Sequence, residues 1–150
     1  MADPALAAVL TVDLDAIRAN WRLLCERTAP APCAAVIKAN AYGLGAARVG
    51  PALQRAGCRQ FFVAQLAEGV ALRQALRDKP ASAAICVLNG VLESERLSFE
   101  AHGLVPCLND LGQVERWSQF ARRRGQPLAA ALHVDTGMNR LGLPPGELDT

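Results

Sequence analysis

The chain has 150 residues, 16 basic against 14 acidic, a net charge of +2, and 51% hydrophobic content. That length builds one cored domain of ordinary size rather than two. The near-neutral balance, whose densest basic run is Arg122-Arg123-Arg124, excludes a strongly basic nucleic-acid binder. No apolar run approaches the roughly 20 residues of a membrane helix, which excludes a membrane-spanning protein of that kind.

The opening Met1-Ala2-Asp3-Pro4 is acidic where an export signal is basic, so a cytoplasmic location is expected. Five cysteines (Cys25, Cys33, Cys58, Cys86, Cys107) make an odd number with no C-x-x-C pair. Disulfide scaffolds and zinc sites use even or clustered sets. The expectation is five largely buried thiols in a reducing compartment, and no metal site. The basic set is unusual: 14 arginines and only two lysines, Lys38 and Lys79.

In chain order, Asp15 is expected to cap a helix running to about Arg27, with Ile17, Trp21 and Leu24 on one face. A strand follows over Cys33 to Ile37. Ala46, Val49 and Leu53 then repeat at helical spacing before Gly57. After a strand over Phe61 to Ala64, Leu72 and Leu76 mark a third helix that Asp78-Lys79-Pro80 stops. Strands over Ala83 to Leu88 and Leu104 to Leu108 come next. Leu111, Val114, Trp117 and Ala121 follow Asn109-Asp110 on a helix that closes in three arginines and Gly125. The last strand spans Ala129 to Val134.

Strand starts lie about 20 to 30 residues apart, one βα unit each. Runs apolar on both faces belong to parallel sheets covered on both sides. The fold class is therefore α/β, either an open doubly wound sheet or part of a (β/α)8 barrel. Five units are visible, whereas a whole barrel takes about 250 residues. Pro144 to Thr150 reads as a loop leading into a further helix, so the chain is expected to be the N-terminal portion of a longer protein.

Chemistry concentrates at two strand ends. Lys38 closes the run Ala34-Ala35-Val36-Ile37 and precedes Tyr42-Gly43-Leu44-Gly45. In α/β folds ligands sit at the carboxyl ends of strands. Partial desolvation there favours the neutral amine, a nucleophile able to condense with an aldehyde to a Schiff base. A lysine that merely snorkels to solvent is the competing reading. Gly43-Leu44-Gly45 opens a helix but fails the dinucleotide fingerprint, because the third glycine falls at Arg48. A tight turn is the simpler reading, with a phosphate held by loop amides the weaker one. Tyr42, the only tyrosine, stands beside that loop.

The last strand ends in Leu132-His133-Val134-Asp135-Thr136-Gly137-Met138-Asn139-Arg140-Leu141-Gly142. His133 and Asp135 alternate with apolar residues and share a face. Arg140 carries a guanidinium suited to a carboxylate or phenolate. Internal hydrogen bonds are expected for Asp135 and Thr136, packing for Met138, and an ordinary surface loop for His102.

Ala35-Val36-Ile37-Lys38-Ala39-Asn40-Ala41-Tyr42-Gly43 resembles the pyridoxal phosphate attachment motif of alanine racemases, and Val134-Asp135-Thr136-Gly137-Met138-Asn139-Arg140-Leu141-Gly142 resembles their second signature. The opening Val12-Asp13-Leu14-Asp15-Ala16-Ile17 through Asn20 also fits. The resemblance implies a (β/α)8 barrel, of which residues 1–150 form the N-terminal portion, followed by a β-rich domain outside this chain, in a head-to-tail homodimer.

It further implies that Lys38 carries pyridoxal 5'-phosphate and acts as acid and base on the D-alanine face. Tyr42 would help hold the cofactor phosphate, and Arg140 would bind near the phenolic oxygen and the substrate carboxylate. The implied activity is interconversion of L- and D-alanine, feeding peptidoglycan. The opposite base in the family is a tyrosine from the partner's C-terminal domain, a region outside this chain. Leu44 stands where the family usually has histidine. His133 stands where many members have a lysine, often carbamylated, that orients the arginine. A serine or broad-specificity racemase, a non-catalytic pyridoxal phosphate carrier, and an inactive fragment are the alternatives.

Overall fold

The computed structural model describes residues 8–76 and 83–148. Asp78-Lys79-Pro80, expected to stop a helix, lies outside them. The elements run α1 (Leu14–Thr28), β1 (Ala35–Val36), α2 (Lys38–Tyr42), α3 (Ala46–Ala56), β2 (Gln60–Val63), α4 (Leu66–Leu76), β3 (Ala84–Val87), α5 (Arg96–His102), β4 (Leu104–Leu108), α6 (Leu111–Arg124) and β5 (Ala131–Leu132). The strands form one sheet in the order β1-β2-β3-β4-β5, every pair parallel. Sequential neighbours joined by helices are the connectivity of a (β/α)8 barrel rather than of a doubly wound sheet, whose order reverses.

Register sorts the residues into two faces. Ala35 pairs with Phe61, Phe61 with Ile85 and Ile85 with Leu104. These four and Val63, Val87 and Leu108 belong to one buried core. Val49 and Leu53 from α3, Leu72 and Leu76 from α4, Phe99 from α5 and Trp117 and Phe120 from α6 complete it. Residues one position along, Val36, Phe62, Cys86 and Cys107, fall on the opposite face, because side chains alternate along a strand. Where α3 crosses α4, a Cβ on Gly50 would stand 2.6 Å from Leu72 Cδ1, so glycine lets the two helices approach.

The structure corrects several expectations. The cap of α1 is Asp13, whose carboxylate accepts from the N–H groups of Asp15 (2.8 Å) and Ala16 (3.0 Å). Asp15 lies inside the first turn and pairs with Arg18. Only Asp13 has the extended backbone a cap needs. Between β3 and β4 lies α5, a helix too short and polar for its period to show. His102 is its last residue, half-buried with Nδ1 2.9 Å from the Ser98 carbonyl, and not part of a surface loop. Three cysteines are buried, whereas Cys25 and Cys33 are only half-buried. β1 and β5 are each two residues long, shorter than their apolar runs.

Arg73 is a core residue that hydropathy does not announce. It is 8% exposed, and its guanidinium donates to the carbonyls of His102, Ala83 and Gly103, each at 3.0 Å. It thereby satisfies the carboxyl end of α5 and ties it to the start of β3. Arg73→Leu leaves those carbonyls without their donor and is expected to destabilise the fold by about 3 kcal/mol, read as a lower urea midpoint. An unchanged midpoint would show that the carbonyls find other donors.

Candidate active site

Lys38 lies half-buried at the carboxyl end of β1, just past Ile37, whose N–H still joins the ladder through the Phe62 carbonyl at 2.9 Å. The backbone beyond it is unusual. Ala39 (φ 49°), Asn40 (54°), Ala41 (56°) and Tyr42 (53°) all take left-handed backbone angles, so α2 winds as a left-handed turn after Lys38. Left-handed helical backbone costs L-residues about 1–2 kcal/mol each, so such a run persists only where its surroundings hold it.

Two side chains hold it. Glu68, in the first turn of α4, accepts from the Ala39 N–H at 2.6 Å through Oε1. Its Oε2 accepts from the N–H groups of Ala64 (2.8 Å) and Gln65 (3.1 Å) at the end of β2. One carboxylate thus joins the Lys38 turn to the neighbouring strand end. Asn40 Oδ1 accepts from the Ala46 N–H at 2.8 Å, capping the first turn of α3. Gly43 and Gly45 continue with φ of +88° and +94°, and nothing stands within 4 Å of where a Cβ would project from either. A cavity of about 360 Å³ between Ile37, Asn40, Glu68 and Leu72 lies against the turn and does not include Lys38.

At the far edge, the His133 N–H bonds the Leu108 carbonyl at 2.9 Å, continuing the ladder past β5. The His133 ring Nδ1 lies 2.7 Å from Asn109 Oδ1. Asn109, 8% exposed, donates both amide hydrogens, to the carbonyls of Leu88 (2.9 Å) and Cys107 (3.0 Å). With its donors committed, the amide can only accept from His133, so the ring proton sits on Nδ1 and Nε2 is left as the acceptor of the neutral ring. One chain of hydrogen bonds therefore links the ends of β3, β4 and β5.

The loop after His133 is closed on itself. Asp135 N–H donates to the Leu143 carbonyl and Leu143 N–H to the His133 carbonyl, each at 2.8 Å. Asp135 Oδ1 accepts from the N–H groups of Gly137 (3.0 Å), Met138 (2.9 Å) and Asn139 (3.1 Å). These bonds, chiefly those from Gly137 and Asn139, hold the Asp135 carboxyl below its ordinary value of 3.8. Gly142 closes the loop with φ +99°, and a Cβ there would stand 2.9 Å from the Asp135 nitrogen. The internal bonding expected of Asp135 is present. Met138 is 74% exposed and does not pack as expected.

The structure thus brings Lys38 and Tyr42 into one turn, and His133 and Arg140 into one loop. All four lie at the carboxyl ends of parallel strands. Lys38 and Arg140 stand at opposite edges, four strand spacings apart, roughly 19 Å measured along the sheet. Tyr42 is 64% exposed, and Arg140 is exposed. Among the described residues, the Lys38 amine, the Tyr42 hydroxyl and the Arg140 guanidinium have no hydrogen-bond or ion-pair partner. No group of three potential metal ligands occurs among the described residues.

Sequence reasoning passed over Glu68, Asn40 and Asn109. Glu68 carried a local signal, a glutamate three positions after Gln65, the residue just before α4, where it reaches back to the Gln65 N–H. Nothing local pointed to its bond with Ala39, 29 residues away.

Removing the Glu68 carboxylate releases three N–H groups. Glu68→Ala is expected to speed hydrogen exchange of the Ala39, Ala64 and Gln65 amides together and to cost about 2 kcal/mol of stability. Unchanged exchange at Ala39 would show that the turn holds without it. Asp135 has a depressed folded-state value, so its contribution is complete above pH 3.8 and disappears as pH falls through that lower value. The amide resonances of Gly137, Met138 and Asn139 should shift together with a midpoint below 3.8, and Asp135→Asn should abolish that titration. A midpoint at or above 3.8 would contradict the carboxylate bonding.

Residues 12–150 match the family described as alanine racemase, N-terminal domain. An alanine racemase of Methylobacterium sp. (strain 4-46) is 54% identical over 140 residues, which is 93% of this chain and 37% of that protein. One from Brucella suis is 50% identical over 147 residues, 98% of this chain and 36% of that one. Among solved structures, the alanine racemase of Bartonella henselae with covalently bound pyridoxal phosphate superposes with a TM-score of 0.84 at 41% identity, covering 92% of this chain and 38% of that one. The chain spans a little over a third of the length of the relatives it matches. Over that span sequence and fold agree, and the chain belongs to the alanine racemase family, in its N-terminal domain.

Proposed function

We propose that this chain is the cofactor-bearing part of an enzyme that interconverts L- and D-alanine with pyridoxal 5'-phosphate. The observation that carries the reading is the half-buried Lys38, held at a strand end by a braced left-handed turn. A strained, over-determined backbone at a strand's carboxyl end marks a position kept for chemistry rather than for stability. The relatives named alanine racemase support the same reading.

The residues present fit the cofactor by their chemistry. A primary amine suits its aldehyde, a phenol its phosphate, and a guanidinium its phenolic oxygen. All three lie on one rim and are uncommitted among the described residues. When bound, pyridoxal phosphate supplies an aldehyde for covalent capture and a ring that takes up the electrons left when the substrate's α-hydrogen departs as a proton.

The protein's part is anchoring, orientation and proton transfer. Lys38 anchors the group through Nζ. With Nζ not bound to the group, Lys38 would be the base that accepts the α-proton on the D-alanine face and returns it. The Tyr42 hydroxyl donates to the phosphate. Arg140 donates to the phenolic oxygen and to the substrate carboxylate, a planar donor matched to oxyanions. His133 stands in the same closed loop and presents Nε2 as an acceptor, which lets it orient a guanidinium without the carbamate a lysine would form.

The base for the opposite face comes from outside this chain. The reading extends to a homodimer in the cytoplasm whose D-alanine supplies peptidoglycan. That extension rests on the resemblance and on no contact within these residues.

Borohydride reduction of the full-length protein with pyridoxal phosphate, followed by peptide mapping, should place a phosphopyridoxyl group on Lys38. Lys38→Ala should lose both the adduct and racemisation, while Arg140→Ala should lower kcat at least tenfold, about 1.4 kcal/mol or more of transition-state stabilisation. Turnover retained in Lys38→Ala would overturn the assignment.

A further inference from the structure

At the opposite end of β1 from Lys38, the last turn of α1 faces the segment that enters the strand, and a cysteine stands on each side. Trp21 and Cys25 are one turn apart on α1, so they share a face of that helix. Trp21 Nε1 donates to the Cys33 carbonyl at 3.2 Å, which fastens the Cys33 backbone against that face. Trp21, Cys25, Ala31, Cys33, Gly57 and Arg59 line one cavity of about 430 Å³. Both cysteines are half-buried, whereas Cys58 is fully buried and donates to the Gln60 carbonyl, 3.2 Å away.

We propose that Cys25 and Cys33 form a redox-modifiable dithiol that closes to a disulfide when it meets a low-molecular-weight disulfide, stapling α1 to the strand that ends at Lys38. The geometry brings the two side chains into one solvent-reachable pocket across eight residues of sequence, with Trp21 holding the spacing.

The exchange balances. One protein thiol loses its proton, and its thiolate attacks a sulfur of the reagent disulfide. That attack forms a mixed disulfide and expels one reagent thiolate. The second protein thiolate attacks the protein sulfur of the mixed disulfide and expels the other reagent thiolate. Two protein S–H bonds and one reagent S–S bond break, one protein S–S bond and two reagent thiols form, and two electrons pass to the reagent. Burial, and next the neighbouring Cys33 thiol, raise Cys25 above its ordinary value of 9.0. The closing step therefore accelerates with rising pH through the neutral-to-alkaline range. The site lies away from Lys38, Tyr42 and Arg140, so it stands whether or not the proposed racemase activity does.

The test is incubation of the full-length protein with oxidised glutathione at pH 8.5, alkylation of remaining thiols, and tryptic mapping without reductant. The expected product joins peptide 23–27, which carries Cys25, to peptide 28–38, which carries Cys33. Its mass is two hydrogens below the sum, two titratable thiols are lost per chain, and dithiothreitol reverses both. Cys33→Ser should retain the native circular dichroism spectrum and lose the linked pair, leaving Cys25 alkylated or as a glutathione adduct. Recovery of Cys25 and Cys33 from the unsubstituted protein as separate alkylated or glutathionylated peptides would overturn the proposal. So would linkage of either to peptide 56–59, which carries Cys58.

Discussion

Four successive L-residues wound left-handed do not hold themselves, and the turn from Ala39 to Tyr42 exists because the Glu68 carboxylate and the Asn40 amide hold it. Glu68 is placed by α4, and α4 by its burial of Leu72 and Leu76 in the common core. Packing on one side of the sheet thus sets backbone geometry at its carboxyl rim. One of the bonds that hold the left-handed run, from the Ala39 N–H to the Glu68 carboxylate, is charge-assisted, the stronger class of such bonds. In exchange the chain leaves β1 abruptly and puts Lys38 and Tyr42 in one short turn.

A parallel sheet gathers chemistry in a way an antiparallel one does not. Every carboxyl end lies on the same rim, so groups distant in sequence meet there without design of each loop. Lys38 comes from the first strand and His133 from the last, and between them the Leu88–Asn109–His133 chain binds three strand ends together. Because Asn109 spends both donors on carbonyls, it dictates which nitrogen of His133 carries the proton. The rim therefore combines fixed hydrogen-bonding groups with three cationic or phenolic groups left uncommitted among the described residues.

Much of the site was legible because its parts are contiguous. The Lys38 motif and the Asp135 loop are short runs whose bonds are mostly local, as when Asp135 binds N–H groups two to four residues ahead. Misreadings arose where two residues were equivalent locally. Asp13 and Asp15 are both plausible caps, and only the backbone angle at Asp13 separates them. α5 escaped notice because seven residues hold barely two turns, too few for a period to emerge. Arg73 carries no local signal of burial, because that burial depends on carbonyls supplied about 30 residues later.

The sequence by itself determined the α/β class, the alternation of strands and helices along most of the chain, the family, and the residue types offered for chemistry. Each of those is written in hydropathy spacing or in a contiguous motif. The tertiary structure alone decided that the turn after Lys38 is left-handed and that Asn109 orients His133. Those outcomes rest on hydrogen bonds and packing between segments far apart in the chain, whose free energy exists only once the sheet has brought them together.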